Sequence, residues 1–407
     1  MRLLLSLLIF ALLVSCSKSS TDNPVPIVTT DSFTVSVANG YGAGKYKAGD
    51  TVHIFSVAYN DNQQFDTWSG DISLLNASNE WHTWFIMPNR NVSFTGSIRA
   101  ITPVTLQFEQ IRGRDRLKPV YYYFPAGHKG FVFLLHGTGG SAANSVSNFE
   151  MHQLVKDLVT DNFGVIITEA EESTTGIDAN GDGKIRWNSI PYDSITNVDF
   201  ANIRILTDTF YNRGITSRSK LRYSLGMSNG GAFSAVLSML YKYTAGISYC
   251  APGGSVVAQT TTTPFQFCMA RFDNNENVGP QGNADALANF NTLTGRGICS
   301  KYFIKEHSPL YPERFARRGD ISLSQSAAVF NEMKSKGFLD SRNYFIGYSS
   351  SYSNAYTANP SAFPALNALT LSQKGFVLDQ IDLAVSDHQM YSDYNRVSLR
   401  FLNKQCQ

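Results

Sequence analysis

The stretch from Leu221 to Gly231 constrains this chain more than any other. Leu221-Arg222-Tyr223-Ser224-Leu225 reads as a strand and runs without a spacer into Gly226-Met227-Ser228-Asn229-Gly230-Gly231. The following segment, Gly231 to Tyr243, has the pattern of a helix. A strand that becomes a helix within so few residues must turn so tightly that a Cβ has no room at either edge, which explains glycine at 226 and 230. Ser228, at the apex, is then held under strain with its Oγ presented. A Gly-x-Ser-x-Gly string alone is weak, because small residues gather at many turns. Here the strand before it and the helix after it both fit, and the spacing predicts a nucleophilic serine rather than an incidental one.

A second motif lies upstream. Phe131-Val132-Phe133-Leu134-Leu135 reads as a buried strand that enters the loop His136-Gly137-Thr138-Gly139-Gly140. Glycine-rich loops of this kind let backbone N–H groups point at a developing oxyanion, usually the largest single stabilisation in acyl transfer. The expected donors are the amides of Asn229 and Thr138, with Gly139 as the neighbouring candidate. His136 precedes the nucleophile and is expected to be structural.

In this strand-turn-helix setting the acid follows the nucleophile in the chain and the base follows the acid. Of seven histidines, only His307 and His388 lie beyond Ser228. His388 is the preferred base: it follows Ile381-Asp382-Leu383-Ala384-Val385, which reads as a last strand, whereas His307 sits in an insertion-like region. Thr263 to Phe272 reads as another strand, and Asp273 at its end is the expected carboxylate that orients the base. Glu276 and Asp320 are its rivals; the latter stands just ahead of a helical stretch, Ser324 to Lys336, whose N-terminus it could serve instead.

Around these motifs the chain divides. From 103 to 407, strands alternate with helical stretches, the pattern of an α/β domain with a mostly parallel sheet flanked by helices. From 32 to 101, short alternating strands and Asn39-Gly40-type turns predict a small all-β unit. Of its tryptophans, Trp68 is expected in the core, while Trp81 and Trp84 are either core or a platform for stacking sugars. Residues 1–16 carry Arg2 and then an apolar run too short to span a bilayer, which reads as an export signal ending at Cys16. A polar linker, 17–31, follows. Four further cysteines remain. Cys299 and Cys406, both in polar segments, are the expected disulfide, with Cys250 and Cys268 as buried free thiols.

Three resemblances add to this reading. Leu13-Val14-Ser15-Cys16 resembles a bacterial lipobox, which implies lipidation of Cys16 and a tether at the cell envelope, at the outer membrane and cell surface or in the periplasm. Tyr46-Lys47-Ala48-Gly49-Asp50-Thr51-Val52, Trp68-Ser69-Gly70-Asp71 and Phe85-Ile86-Met87-Pro88 resemble the divergent internalin-type β-repeat of bacterial surface proteins, which implies an accessory module. Leu135-His136-Gly137, Asn197-Val198-Asp199-Phe200 and Gly226-Met227-Ser228-Asn229-Gly230-Gly231 resemble the secreted polyhydroxybutyrate-depolymerase and feruloyl/acetylxylan-esterase group of α/β-hydrolases. That resemblance spans about residues 108 to 275. It implies an α/β-hydrolase fold, Asp199 as a helix-start residue, and cleavage of esters on a polymer or its decorations through an acyl-enzyme, with no metal or organic cofactor required. The segment between Gly279 and Tyr356 departs from the group's pattern and is expected to cover the site.

Asp178-Ala179-Asn180-Gly181-Asp182-Gly183 matches the first half of a calcium loop, with oxygen ligands at Asp178, Asn180 and Asp182. Ser189 stands where the bidentate Glu belongs, so a partial structural calcium site and an ordinary Asp/Asn/Gly surface loop are both open. The net charge of +2 gives no electrostatic case for nucleic acid as a partner. The expected partners are an ester-bearing polymer or oligosaccharide and, through the lipid anchor, a membrane.

Overall fold

The computed structural model describes residues 32–407, so the expected export signal, Cys16 and the expected linker lie outside the described residues. Two small sheets come first. Strands β1 (Ser32–Ala38), β2 (Gly40–Tyr41), β3 (Gly44–Lys47), β4 (Thr51–Ser56), β5 (Gln63–Gly70), β6 (His82–Ile86) and β7 (Val92–Ala100) form one sheet of order β3-β1-β7-β5 and another of order β2-β4-β6. Alternation along β7, with Val92 and Phe94 inward, and a register shift in β5 that turns both Phe65 and Trp68 inward build a core between them. Trp68 is buried there and donates from Nε1 to the Glu80 carbonyl at 3.0 Å. Trp81 is buried too, its ring 3.7 Å from the Arg317 guanidinium, so it is not a sugar platform. Tyr311, from far along the chain, completes this core.

The main sheet has eight strands: β8 (Gln107–Arg112), β9 (Leu117–Tyr123), β10 (Gly130–Leu135), β11 (Phe163–Ile167), β12 (Leu221–Met227), β13 (Ala245–Tyr249), β14 (Phe265–Ala270) and β15 (Ser300–Lys305). Their order is β15-β14-β13-β12-β10-β11-β9-β8, parallel from β11 to β15, with β9 antiparallel to both neighbours. This is the α/β-hydrolase fold, as expected. The central strands are apolar on both faces because helices cover both, which divides the interior into two clusters.

The segment 279–356 does not simply cover the site. It begins with the helix Gly279–Gly295 packed on β14 and β15, and then supplies β15 itself. Only beyond Leu310 does it enter a helical unit with its own core of Phe315, Val329, Phe330, Tyr352 and Phe363, which extends to Val385. Ile381 to Val385 is no strand. It ends the helix Leu371–Val385, opened by a capping box between Thr370 and Gln373. The run misleads because a helix end buried on several sides has the same short apolar signature as a core strand. Asp320 pairs with Arg318 beside the helix Leu323–Ser335, where Ser322 is the N-cap.

Cys299 and Cys406 form the disulfide, which pins the C-terminal helix Asn395–Lys404 to the start of β15. Cys250 and Cys268 are free and buried.

The β unit is fastened to the rest by buried polar groups. Glu80 accepts the Val397 amide at 2.9 Å, and burial pushes its carboxyl up to about 8. An unfolded glutamate loses its proton near pH 4.5, whereas folded Glu80 keeps it to about 8. Between those values the folded state binds the extra proton, so this group's contribution to stability falls as pH rises through the window. Thermal melts of wild type and Glu80→Gln from pH 4.5 to 8.5 are therefore expected to show the variant gaining on wild type with rising pH; a constant difference would refute the assignment.

Candidate active site

The turn after β12 is built as its glycines require. A Cβ on Gly226 would lie 2.1 Å from the Gly230 carbonyl oxygen, and one on Gly230 would lie 2.4 Å from the carbonyl oxygens of Leu135 and His136. Ser228 itself has φ 55° and ψ −126°, a conformation that a residue with a Cβ adopts only when its surroundings force it. Its amide donates to the Tyr249 carbonyl at 2.8 Å, and its carbonyl opens the helix Asn229–Tyr241 by accepting from Gly231 and Ala232.

Asp273 lies just beyond the end of β14, fully buried. Its Oδ2 accepts from His388 Nδ1 at 2.7 Å, while Oδ1 accepts the amides of Asn275 at 3.0 Å and Gly279 at 3.3 Å. A carboxylate held on both oxygens cannot rotate away from the imidazole. Donation from Nδ1 fixes the tautomer that leaves Nε2 as a proton acceptor. Nε2 is buried and has no partner among the described residues.

The loop carrying His388 is clamped from below. Ser386, at φ 68°, donates from Oγ to the Lys305 carbonyl at 2.6 Å, and it accepts the Arg271 amide on Oγ and the Phe272 amide on its carbonyl. Asp387 accepts the amides of Asn274 and His388, each at 2.7 Å. The segments bearing acid and base are thus stitched residue by residue.

Register ties this dyad to Ser228. Met227 of β12 pairs with Tyr249 of β13, so Ser228 and Cys250 each follow directly on a paired residue at adjacent strand ends. Ligand atoms of Cys250, Asp273 and His388 lie within 4.8 Å of one another. Burial raises the Cys250 thiol well above its usual range, so it stays protonated and makes a poor metal ligand. The trio reads as an acid–base pair packed on a neutral thiol.

The rival residues are accounted for elsewhere. Glu276 is exposed and pairs with Lys184 at 3.3 Å. His307 packs edge-on against Phe272 and Tyr344, and burial lowers it to about 4. In the calcium-like loop, Asp178 accepts the amides of Gly181, Asp182 and Gly183, Asn180 accepts that of Asp182, and Asp182 pairs with Arg186. These oxygens are turned to their own backbone, as in an Asx-turn.

The oxyanion side is more elaborate than its sequence suggests. The Gly139 amide donates to the Ile185 carbonyl at 2.8 Å, which removes Gly139 as a donor. The amides of Thr138 and Asn229 have no partner among the described residues, and a Cβ on Gly137 would lie 3.2 Å from the Ser228 Cβ, so the loop abuts the serine. His136 is structural: Nε2 accepts the Ala170 amide at 3.1 Å, so Nδ1 donates to the Gly137 carbonyl at 2.7 Å. Burial lowers it to about 4 and keeps it neutral.

Trp187 is the residue that sequence reasoning missed. Its Nε1 donates to the His136 carbonyl at 3.0 Å, and its backbone is gripped by the Asn229 side chain, which accepts its amide at 2.8 Å and donates to its carbonyl at 3.2 Å. One residue, through its indole on one side and its backbone on the other, therefore braces the loop bearing one amide to the residue bearing the other. No motif marks a Trp in a loop that far from both; only the fold brings it in. Asp199 supports the same loop, accepting the amides of Glu171 and Asn188 from the first turn of the helix Val198–Asn212.

No protein-family model and no curated protein matches this sequence. Solved structures of similar architecture include a dienelactone hydrolase from Anabaena variabilis, with 13% identity over 50% of this chain and 87% of that one and a TM-score of 0.38. An esterase from Pyrococcus furiosus has 11% identity over 49% and 81%, with a TM-score of 0.36. An acetyl xylan esterase from Aspergillus awamori has 13% identity over 47% and 81%, also at 0.36. These likenesses are too low to carry a residue's role from any of them to this chain.

If the brace positions the amides, Trp187→Phe keeps the ring packed on Phe233 and removes only the N–H donor. The variant is expected to fall about tenfold in the rate of Ser228 phosphonylation by a fluorophosphonate, with its melting temperature nearly unchanged. Equal labelling rates would show the brace to be idle.

Proposed function

We propose that this chain is a serine carboxylic-ester hydrolase that works through an acyl-enzyme. The observation that carries the reading is the placement at the carboxyl ends of β10, β12 and β14 of a strained Ser228, an Asp273–His388 pair with Nε2 spare, and two amides unengaged among the described residues. Ser228 Oγ attacks the ester carbonyl carbon while His388 Nε2 takes its proton. The carbonyl oxygen gains the negative charge and is met by the amides of Asn229 and Thr138. Collapse expels the alcohol, which receives the proton from His388. A water then repeats the sequence on the acyl group, its proton passing to His388 and on to the departing Ser228 oxygen. Asp273 stays ionised and holds the imidazole in register and charge balance.

The substrate reading rests on the Gly-Met-Ser-Asn-Gly-Gly motif and its neighbours: feruloyl or acetyl esters on a polysaccharide, with a polyester as the second reading. Lipidation at Cys16 would place the enzyme at a bacterial cell envelope, facing such polymers. A catalytically silent, glycan-binding lipoprotein is the reading from another class.

Turnover of p-nitrophenyl acetate, methyl ferulate, acetylated xylan and polyhydroxybutyrate separates these readings. Ser228→Ala is expected to lose activity by about 10⁵-fold or more, and Asp273→Asn by about 10⁴-fold, with both proteins folded. Turnover equal to wild type in Ser228→Ala would sink the mechanism, and an inert wild type would favour the silent lipoprotein.

A further inference from the structure

One large cavity does not belong to the active site. It has a volume of about 860 Å³ and lies between β6 of the β unit, the edge strand β15 and the C-terminal helix. Neither Ser228, His388, Asp273, Thr138 nor Asn229 lines it. Its size falls within the usual range for small-molecule sites, about 300–1,000 Å³.

Its floor is polar and deeply buried. Lys305 donates to Asp393 Oδ1 at 3.2 Å, with both side chains 4% exposed. His82 donates from Nδ1 to the same carboxylate, and its Nε2 lies 3.0 Å from His53 Nδ1, which must then be the donor. Burial lowers both imidazoles, His82 to about 4, so they are neutral and the floor holds one positive and one negative charge. The Lys305 ammonium has three N–H groups, of which one is engaged. Asp393 Oδ2 is buried and has no partner among the described residues. Leaving an ionised oxygen unsatisfied in the interior is costly, so that atom points to an occupant with donors to give.

The walls are aromatic. Trp84 stands on β6 two residues from His82, hence on the same face, and both Trp84 and Tyr302 of β15 are half-buried. Phe303 and Tyr394 add to the lining. Aromatic walls accept the C–H faces of pyranose rings, while sugar hydroxyls donate to a carboxylate and accept from an ammonium at once. A floor with balanced charge favours a neutral ligand over an anionic or cationic one.

We propose that this seam is a second binding site, for a neutral oligosaccharide, separate from the ester-cleaving centre and formed jointly by the β unit and the edge of the main sheet. The site would hold a polysaccharide chain beside the enzyme without taking part in the chemistry.

The test is titration calorimetry of the chain from residue 32 with xylohexaose, cellohexaose and laminarihexaose, with polygalacturonate as the charged control. At least one neutral hexaose is expected to bind wild type and Ser228→Ala alike. Trp84→Ala and Tyr302→Ala, at half-exposed positions, are expected to weaken it about tenfold or more while p-nitrophenyl acetate turnover stays within about twofold of wild type. Binding that survives both wall substitutions, preference for the anionic polymer, or no binding of any neutral hexaose at millimolar concentration would each overturn the proposal. The binding outcomes do not depend on whether the protein cleaves esters; only the turnover control does.

Discussion

The site hangs on one close approach: Gly230 at the head of the helix Asn229–Tyr241 is pressed against the carbonyls that end β10. With no Cβ in the way, the helix start and the His136–Gly140 loop come together, and the Thr138 and Asn229 amides are carried to the same place. The same packing leaves Ser228 no relaxed conformation. Strain at that residue is sustained by the parallel strands on either side, whose ladders are buried and intact. Trp187 then converts proximity into rigidity, because its indole is bonded to the His136 carbonyl and its backbone to the Asn229 side chain.

Around this centre the molecule is held by buried charges rather than by apolar contact alone. Arg317, from the helical unit, pairs with Glu150 at 2.9 Å and lies between the rings of Trp81 and Phe149. Glu150 also accepts from Gln380 and Ser392. Burying such a pair gains little net stability, since desolvation offsets most of the attraction. Losing one partner, however, strands the other charge in the interior. Such a node therefore specifies orientation, here among the β unit, the helical unit and the segment that follows His388.

How much of this could be read from the chain depended on distance along it. Ser228, its strand and its helix are contiguous, and the alternation and glycine spacing reveal them directly. The pairing of Asp273 with His388 was legible through their expected order after Ser228, although the strand expected before His388 is a helix. Cys299 and Cys406 were legible from their polar surroundings. What stayed hidden is what only packing creates. Trp81 looks like a candidate platform until Arg317, more than two hundred positions away, stacks on it. Tyr311 and Trp187 carry no local signal, because their partners are set by tertiary contacts.

The helical unit bears on how the Asp273–His388 pair is held. Its last helix, Leu371–Val385, runs straight into the clamp at Ser386, two residues before His388. Ala384 accepts the Ser308 amide, and Gln380 is bonded to both Arg317 and Glu150. Moving this helix as a lid would drag the base away from Asp273 and break the buried Arg317 node at once. The unit is therefore a fixed wall that delivers the base. The 178–186 segment is held separately, by Lys184 on Glu276 and Asn277, beside the exposed Phe272.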